Sequence, residues 1–166
     1  MSVIAWDGKE LAADKRASIG TMIRTTTKIF EAAGAIVGYA GDADGGEELL
    51  AWFSSGRSPE KFPPSQRDKD SWAGLLVIWP SGEIWKYERT PYPLKFPPQH
   101  FAIGSGRDFA LAAMHCGKTA AEAVEVACAL DSGCGNGVDI LVHGNKTMCS
   151  KMRPITGSGT KMLTKE

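Results

Sequence analysis

The chain opens on a strand, and this restricts its folding more than any other feature. Residues 2–6 (SVIAW) are β-prone, and Asp7-Gly8 is a tight-turn pair, because glycine tolerates the positive φ such a turn needs. Residues 10–14 (ELAAD) then return as a second strand. A hairpin whose first strand starts at residue 2 fixes the amino terminus in a sheet rather than on a tail. Whatever chemistry residue 2 carries is therefore held in place by the fold.

Further strands are expected over residues 22–30 and 35–40. GDADGG (41–46) interrupts the sheet and supplies helix-start chemistry for the apolar-periodic run EELLAWF (47–53). Residues 54–70 carry Pro59, Pro63 and Pro64 and read as a surface loop. A second hairpin follows over 72–79 and 83–87, turned at Pro80-Ser81-Gly82. Residues 90–98 are proline-rich and extended, and 100–103 form a short strand. Two alanine-rich helices are expected at 105–116 and 120–130. Gly117 ends the first, and Thr119 caps the second with Glu122 in the capping-box position. Residues 138–143 (VDILVH) close the order, and from Gly144 onward a polar stretch is expected to fray or to contact another subunit. Strands, helix, strands, two helices, strand, joined mostly by hairpins, suit two sheets between helix layers better than a parallel βαβ fold.

Bulk properties exclude several classes. Among 166 residues, 19 Lys plus Arg balance 19 Asp plus Glu, so no basic block points to nucleic acid. No apolar run approaches the roughly 20 residues of a membrane-spanning helix. MSVIAWDGKE lacks a basic region followed by an apolar core, so no signal peptide is expected and the cytoplasm is the expected location. Cys116, Cys128, Cys134 and Cys149 form no C-x-x-C pair, and His100, His115 and His143 show no ligand spacing, so no metal site is expected. Asp42-Ala43-Asp44-Gly45 begins like a calcium loop but lacks the later ligands. Ile103 replaces the first glycine of a G-x-S-x-G elbow around Ser105.

Five segments in order, SVIAWDGKELAADKRAS, TTTKIF, GAIVGYAGDAD, FAIGSGRDFALAAM and DSGCGNGVDIL, resemble proteasome β subunits and their bacterial relatives, which are N-terminal-nucleophile (Ntn) hydrolases. The likeness is strongest to a compact branch met in phages and prophages, whose chains typically begin Met-Thr-Thr-Ile-Ala. It covers residues 2–143. It implies a four-layer αββα sandwich of two mostly antiparallel sheets flanked by helices, an α+β Ntn fold over residues 1–146, with a C-terminal tail at 147–166.

In that family the side chain of the first mature residue is the nucleophile and its own α-amine is the base. An α-amine titrates near ~7.7–8.0, so at neutral pH a good part of it accepts a proton. Hydroxyl and base share one residue, so their proximity is covalent. Ser2 falls at that position, and its small side chain favours removal of Met1 by methionine aminopeptidase. A chain that keeps Met1 has no free amine on Ser2.

The resemblance also assigns partners to Ser2. Asp14 and Lys28 match a buried pair in which the ammonium lowers the nucleophile's pKa and the carboxylate orients it. Read on their own, they are a structural ion pair or two unrelated surface charges. Gly41 matches the glycine whose N–H forms the oxyanion hole, or is a turn glycine. Ser105 matches a serine beside the terminal amine, a place that also suits a helix N-cap. Asp131 and Cys134 match an Asp-x-x-Ser pair supporting the amine, with a thiol where the family has a hydroxyl and hence a weaker hydrogen bond. Tyr39 matches a residue lining the substrate pocket, or is a core aromatic. Serine for threonine at position 2 removes the methyl that stiffens χ1.

Two functions follow as expectations. One is a threonine-peptidase-like amide hydrolase acting on peptides or proteins, with no cofactor, assembled as a homo-oligomer in which a ring is possible. The other is an inactive protein of the same fold serving as a phage structural or assembly component, in which case the location is the host cytoplasm. An unfoldase partner cannot be read from the residues.

Overall fold

The computed structural model describes residues 1–67 and 72–142, and the backbone of 149–151. Three antiparallel sheets are present among them. The first holds β1 (Val3–Trp6), β2 (Glu10–Asp14), β10 (Phe101–Gly104), β11 (Val138–Val142) and β12 (Cys149–Lys151), in the order β10-β1-β2-β11-β12. The second holds β5 (Ile29–Ala32), β6 (Ala35–Gly41), β7 (Ala73–Ile78), β8 (Ile84–Tyr87) and β9 (Leu94–Phe96), in sequence order. A separate two-stranded hairpin joins β3 (Arg16–Ile19) to β4 (Met22–Thr25).

The alternation of side chains explains the layers. On β1, Ile4 and Trp6 point toward the second sheet, while Val3 and Ala5 point to the helices α2 (Arg107–His115) and α3 (Ala120–Leu130). On β6, Ile36 and Ala40 meet the first sheet, while Val37 and Tyr39 meet α1 (Ala43–Ser54). Three apolar clusters result: helices on sheet, sheet on sheet, sheet on helix. This is the expected αββα sandwich. Because both faces of the central strands are covered, β1 and β7 are buried along their whole length. Each fully buried Ile or Leu in these layers contributes roughly 1.5–3 kcal/mol of transfer free energy. The sheets approach closely at Gly38, where a Cβ would lie 2.9 Å from Ile29 Cγ2 and 3.0 Å from Ile4 Cδ1.

Local differences from the sequence reading have physical causes. The strand expected over 22–30 is two strands, because residues 26–28 leave one sheet and join another: Thr26 N–H donates to Lys15 O at 2.8 Å, and Tyr39 N–H to Lys28 O at 3.1 Å. The β3 strand, which pairs with β4, was hidden by its charge and exposure. α1 begins four residues earlier than its apolar run, because Asp42 Oδ1 accepts from Gly45 N–H at 2.9 Å and caps it. α2 begins at Arg107 behind Gly106, so Ser105 does not cap it. The capping box of Thr119 and Glu122 is present. The loop after α1 contains two 3₁₀ turns, Pro59–Lys61 and Pro64–Arg67. His143 and most of the tail lie outside the described residues, and of that tail Cys149–Lys151 forms an edge strand on β11.

Candidate active site

The terminus is clamped where β1 meets the β10–α2 junction. Val3 pairs with Gly104, whose φ of +96° and whose approach to Ser2 O permit only glycine: a Cβ there would lie 2.1 Å from that oxygen. Gly106 N–H donates to Ser2 O at 3.2 Å. Ser2 N–H donates to Ser105 Oγ at 3.2 Å. The Ser105 hydroxyl, which does not cap α2, faces the backbone of residue 2 instead.

Ser2 is 5% exposed, and its hydroxyl donates to the Met1 carbonyl at 2.6 Å. Met1 itself is 69% exposed and its side chain rests on Gly133, where an added Cβ would come within 2.5 Å of Met1 Cβ. While Met1 is attached, the nitrogen on Ser105 is an amide and has no basicity. Removal of Met1 turns that same nitrogen into an α-amine and frees the hydroxyl. One processing step thus exposes an amine and a hydroxyl on the same residue.

Asp14 is fully buried and takes four donors. Its Oδ1 accepts from Lys28 Nζ at 2.7 Å and from Val3 N–H at 2.9 Å. Its Oδ2 accepts from Arg16 N–H and Gly135 N–H, each at 3.1 Å. Lys28 is 4% exposed. This arrangement brings the two expected residues together and rules out a pair of unrelated surface charges. It also ties the ion pair to β1 one residue from Ser2.

A second buried ion pair was not anticipated. Lys15 Nζ lies 2.7 Å from Asp139 Oδ1, and Asp139 is 1% exposed. The available signal was an acidic residue at an inward position of the apolar strand VDILV, which requires a partner.

Asp131 and Cys134 meet in the turn after α3. The Cys134 thiol donates to Asp131 Oδ2 at 3.4 Å, and Gly133 N–H donates to Oδ1 at 2.8 Å. The Ser105 hydroxyl foremost, then Gly133 N–H and the thiol, hold the Asp131 carboxyl below its usual range. Burial, aided by the Asp14 charge and by the Asp131 hydrogen bond, pushes the Cys134 thiol up to about 12. Cys134 therefore serves as a neutral donor. It packs under the start of α2, since a Cβ on Gly106 would lie 3.0 Å from both Cys134 Sγ and Val3 Cβ.

Gly41 ends β6 with φ +118°, and a Cβ there would come 2.6 Å from Trp72 O. It lines a cavity of about 340 Å³ together with Ser2 and Ser105. Gln66, from the loop expected to be surface, holds this corner. It is fully buried, donates through Nε2 to Gly45 O at 3.1 Å and accepts through Oε1 from Ala73 N–H at 3.0 Å. Ala73 pairs with Gly41 in the sheet. No sequence signal distinguished Gln66 from the polar residues around it.

Tyr39 does not border this cavity. The strand alternation turns its ring toward α1, where it stacks on Phe30 with centroids 5.8 Å apart, and its hydroxyl donates to Glu47 at 2.6 Å. Burial and Glu47 raise its phenol above the usual value. Among the described residues, no group of three or more His, Cys, Asp or Glu side chains is placed to hold a metal ion, and no helix is long and apolar enough to cross a membrane.

No family model and no curated protein matches the sequence. Solved structures do. Thiobacillus denitrificans BPH, a bacterial proteasome homologue, in complex with epoxomicin superposes with a TM-score of 0.66 at 19% identity, over 86% of this chain and 97% of that one. A second structure of Thiobacillus denitrificans BPH gives a TM-score of 0.63 at 20% identity, over 85% and 96%. The fold is proteasome-like and of the Ntn type. In this proteasome-like frame the strand that begins at Val3, the Asp14–Lys28 pair and the Ser105–Asp131–Cys134 group converge around Ser2.

Proposed function

We propose that the chain is an N-terminal-nucleophile amide hydrolase acting on peptides, active once Met1 is removed. One observation carries this: the nitrogen of Ser2 lies on Ser105 Oγ at 3.2 Å, while the next backbone N–H shares Asp14 Oδ1 with the Lys28 ammonium. A free amine there is oriented by Ser105, with Asp131 and Cys134 behind it. The Ser2 hydroxyl attacks the substrate carbonyl and its proton passes to the α-amine. Gly41 N–H stabilises the oxyanion, and the Lys28 charge stabilises the developing alkoxide. The C–N bond then breaks as the amine hands its proton to the departing nitrogen. Water hydrolyses the ester left on Ser2 by the reverse proton route, so no metal or organic cofactor takes part. Tyr39, braced by Glu47, shapes the acyl side from beneath α1.

By likeness to the proteasome-type assemblies the chain forms a homo-oligomer, and a ring is the natural closed form. The second reading is an inactive phage structural or assembly protein. It is favoured by the Ser2 hydroxyl, which is tied to the Met1 carbonyl for as long as Met1 stays. Peptide turnover by wild type and Ser2→Ala separates the two. The hydrolase loses at least about 10³-fold on Ser2→Ala. Equal turnover by both removes Ser2 as nucleophile and leaves the structural role.

A further inference from the structure

The cavity beside Ser2 is walled on its far side by charge. On β8 the alternation sends Trp85 and Tyr87 to the α1 layer and Ile84 into the space between the sheets. Lys86 and the following Glu88 continue the face of Ile84, where an apolar side chain is the rule. They form an ion pair, with side chains 24% and 33% exposed. The space before them exists because the facing positions are small. Ala40 and Gly74 are cross-strand partners, and the nearest atoms to where a Cβ on Gly74 would stand are Glu88 Cγ at 3.8 Å and Lys86 Cε and Tyr87 O at 3.9 Å. Polar residues aimed between two sheets, beside a nucleophile and with room in front of them, are what a binding site needs and a core does not.

Position assigns the cavity to one side of the substrate. The α-amine must deliver its proton to the departing nitrogen, so the leaving group lies on the amine's side of Ser2. That side is Ser105, which lines this cavity, whereas neither Asp14 nor Lys28 does. The charge count then selects the ligand. Lys86 and Arg107 face the single carboxylate of Glu88, so one positive charge of the two is left over for a ligand. Arg107 touches Gly104 O at 3.3 Å and Asp108 at 3.4 Å, but it is 56% exposed, where such a pair holds its cation weakly.

Resting on the hydrolase reading, we propose that this cavity binds the leaving-group side of the substrate and prefers a carboxylate there, held by Arg107 and Lys86. The carboxylate belongs either to an acidic side chain or to the free carboxyl terminus of a short leaving fragment. Arginine presents a planar fork suited to that group.

The test uses peptides with one acyl-side sequence and, after the scissile bond, glutamate, glutamine or lysine, each with a free or an amidated carboxyl terminus. Wild type is expected to show about tenfold higher kcat/KM with a carboxylate on the leaving side than without one. Glutamate against glutamine, and free against amidated termini, identify its source. Arg107→Glu, a surface change, is expected to abolish or invert the preference, and so is the paired Lys86→Met/Glu88→Gln change, which leaves neither partner of the ion pair alone. Equal rates across the series, or a preference that survives Arg107→Glu, overturns the proposal. Binding of the same peptides to Ser2→Ala protein, by calorimetry, decides the point without catalysis: carboxylate-bearing peptides bind about tenfold tighter, and Arg107→Glu removes the difference. Silence of wild type toward every peptide defeats the hydrolase reading, and the binding arm then decides the cavity's preference by itself.

Discussion

Asp14 Oδ1 stands 2.7 Å from the Lys28 ammonium, with both side chains at or below 4% exposure. The same oxygen accepts Val3 N–H, so the Lys28 charge and the strand that follows Ser2 are held by one carboxylate. Removing either charge alone strands the other in the core. Lys28→Met is expected to reduce kcat/KM by at least about 10²-fold and to destabilise the fold by about 3–5 kcal/mol. Urea unfolding beside peptide turnover checks both. Unchanged turnover in a folded Lys28→Met protein would separate the pair from catalysis.

Gly41→Ala is expected to cost about 1–3 kcal/mol, because the new methyl meets Trp72 O and the residue sits at φ +118°. Turnover should fall further than stability accounts for, since the oxyanion donor moves with the backbone. Gln66→Leu approaches the same corner from behind. It takes one donor from Gly45 O and leaves Ala73 N–H without its acceptor, and is expected to lower kcat with little effect on KM.

Cys134→Ser restores the stronger donor beside Asp131. The serine hydroxyl should strengthen the hold on the carboxylate and raise kcat/KM several-fold, with stability changed by no more than about 1 kcal/mol. Cys134→Ala, which deletes the donor, should move activity the other way. Steady-state kinetics on the two variants decides it.

Burial and the Asp14 charge push Cys128, like Cys134, up to about 12. A raised thiol is protonated at every pH below that value, and at pH 8 its thiolate fraction is about 10⁻⁴. Iodoacetamide at pH 8, followed by peptide mapping, should label exposed Cys116 well before Cys128 or Cys134. Rapid loss of Cys134 would show that the turn after α3 opens in solution.

Much of this was readable from the residues, for identifiable reasons. Asp7-Gly8 between the β-prone run SVIAW and the returning ELAAD marked a hairpin near the terminus, and Thr119 with Glu122 marked the start of α3. Asp14 and Lys28 were singled out by likeness, and the structure joins them through one oxygen. Gln66 was invisible, because a fully satisfied buried glutamine looks like any other polar residue in a proline-rich loop. β3, the partner of β4, was missed because this exposed strand buries no apolar face to set a period-2 pattern. Ser105 had two satisfactory roles on paper, and the placement of the α2 N-cap at Gly106, one residue further on, removes the capping role.

On the hydrolase reading, Ser2 becomes the first residue once Met1 is removed and carries both nucleophile and base. Intact mass spectrometry of the purified protein, before and after exposure to epoxomicin, the molecule named with the Thiobacillus denitrificans BPH structure, tests it directly. The expected result is a chain lacking Met1 that gains one inhibitor mass, while Ser2→Ala gains none. A chain that keeps Met1, or that sheds it and still takes up no inhibitor at Ser2, would contradict it.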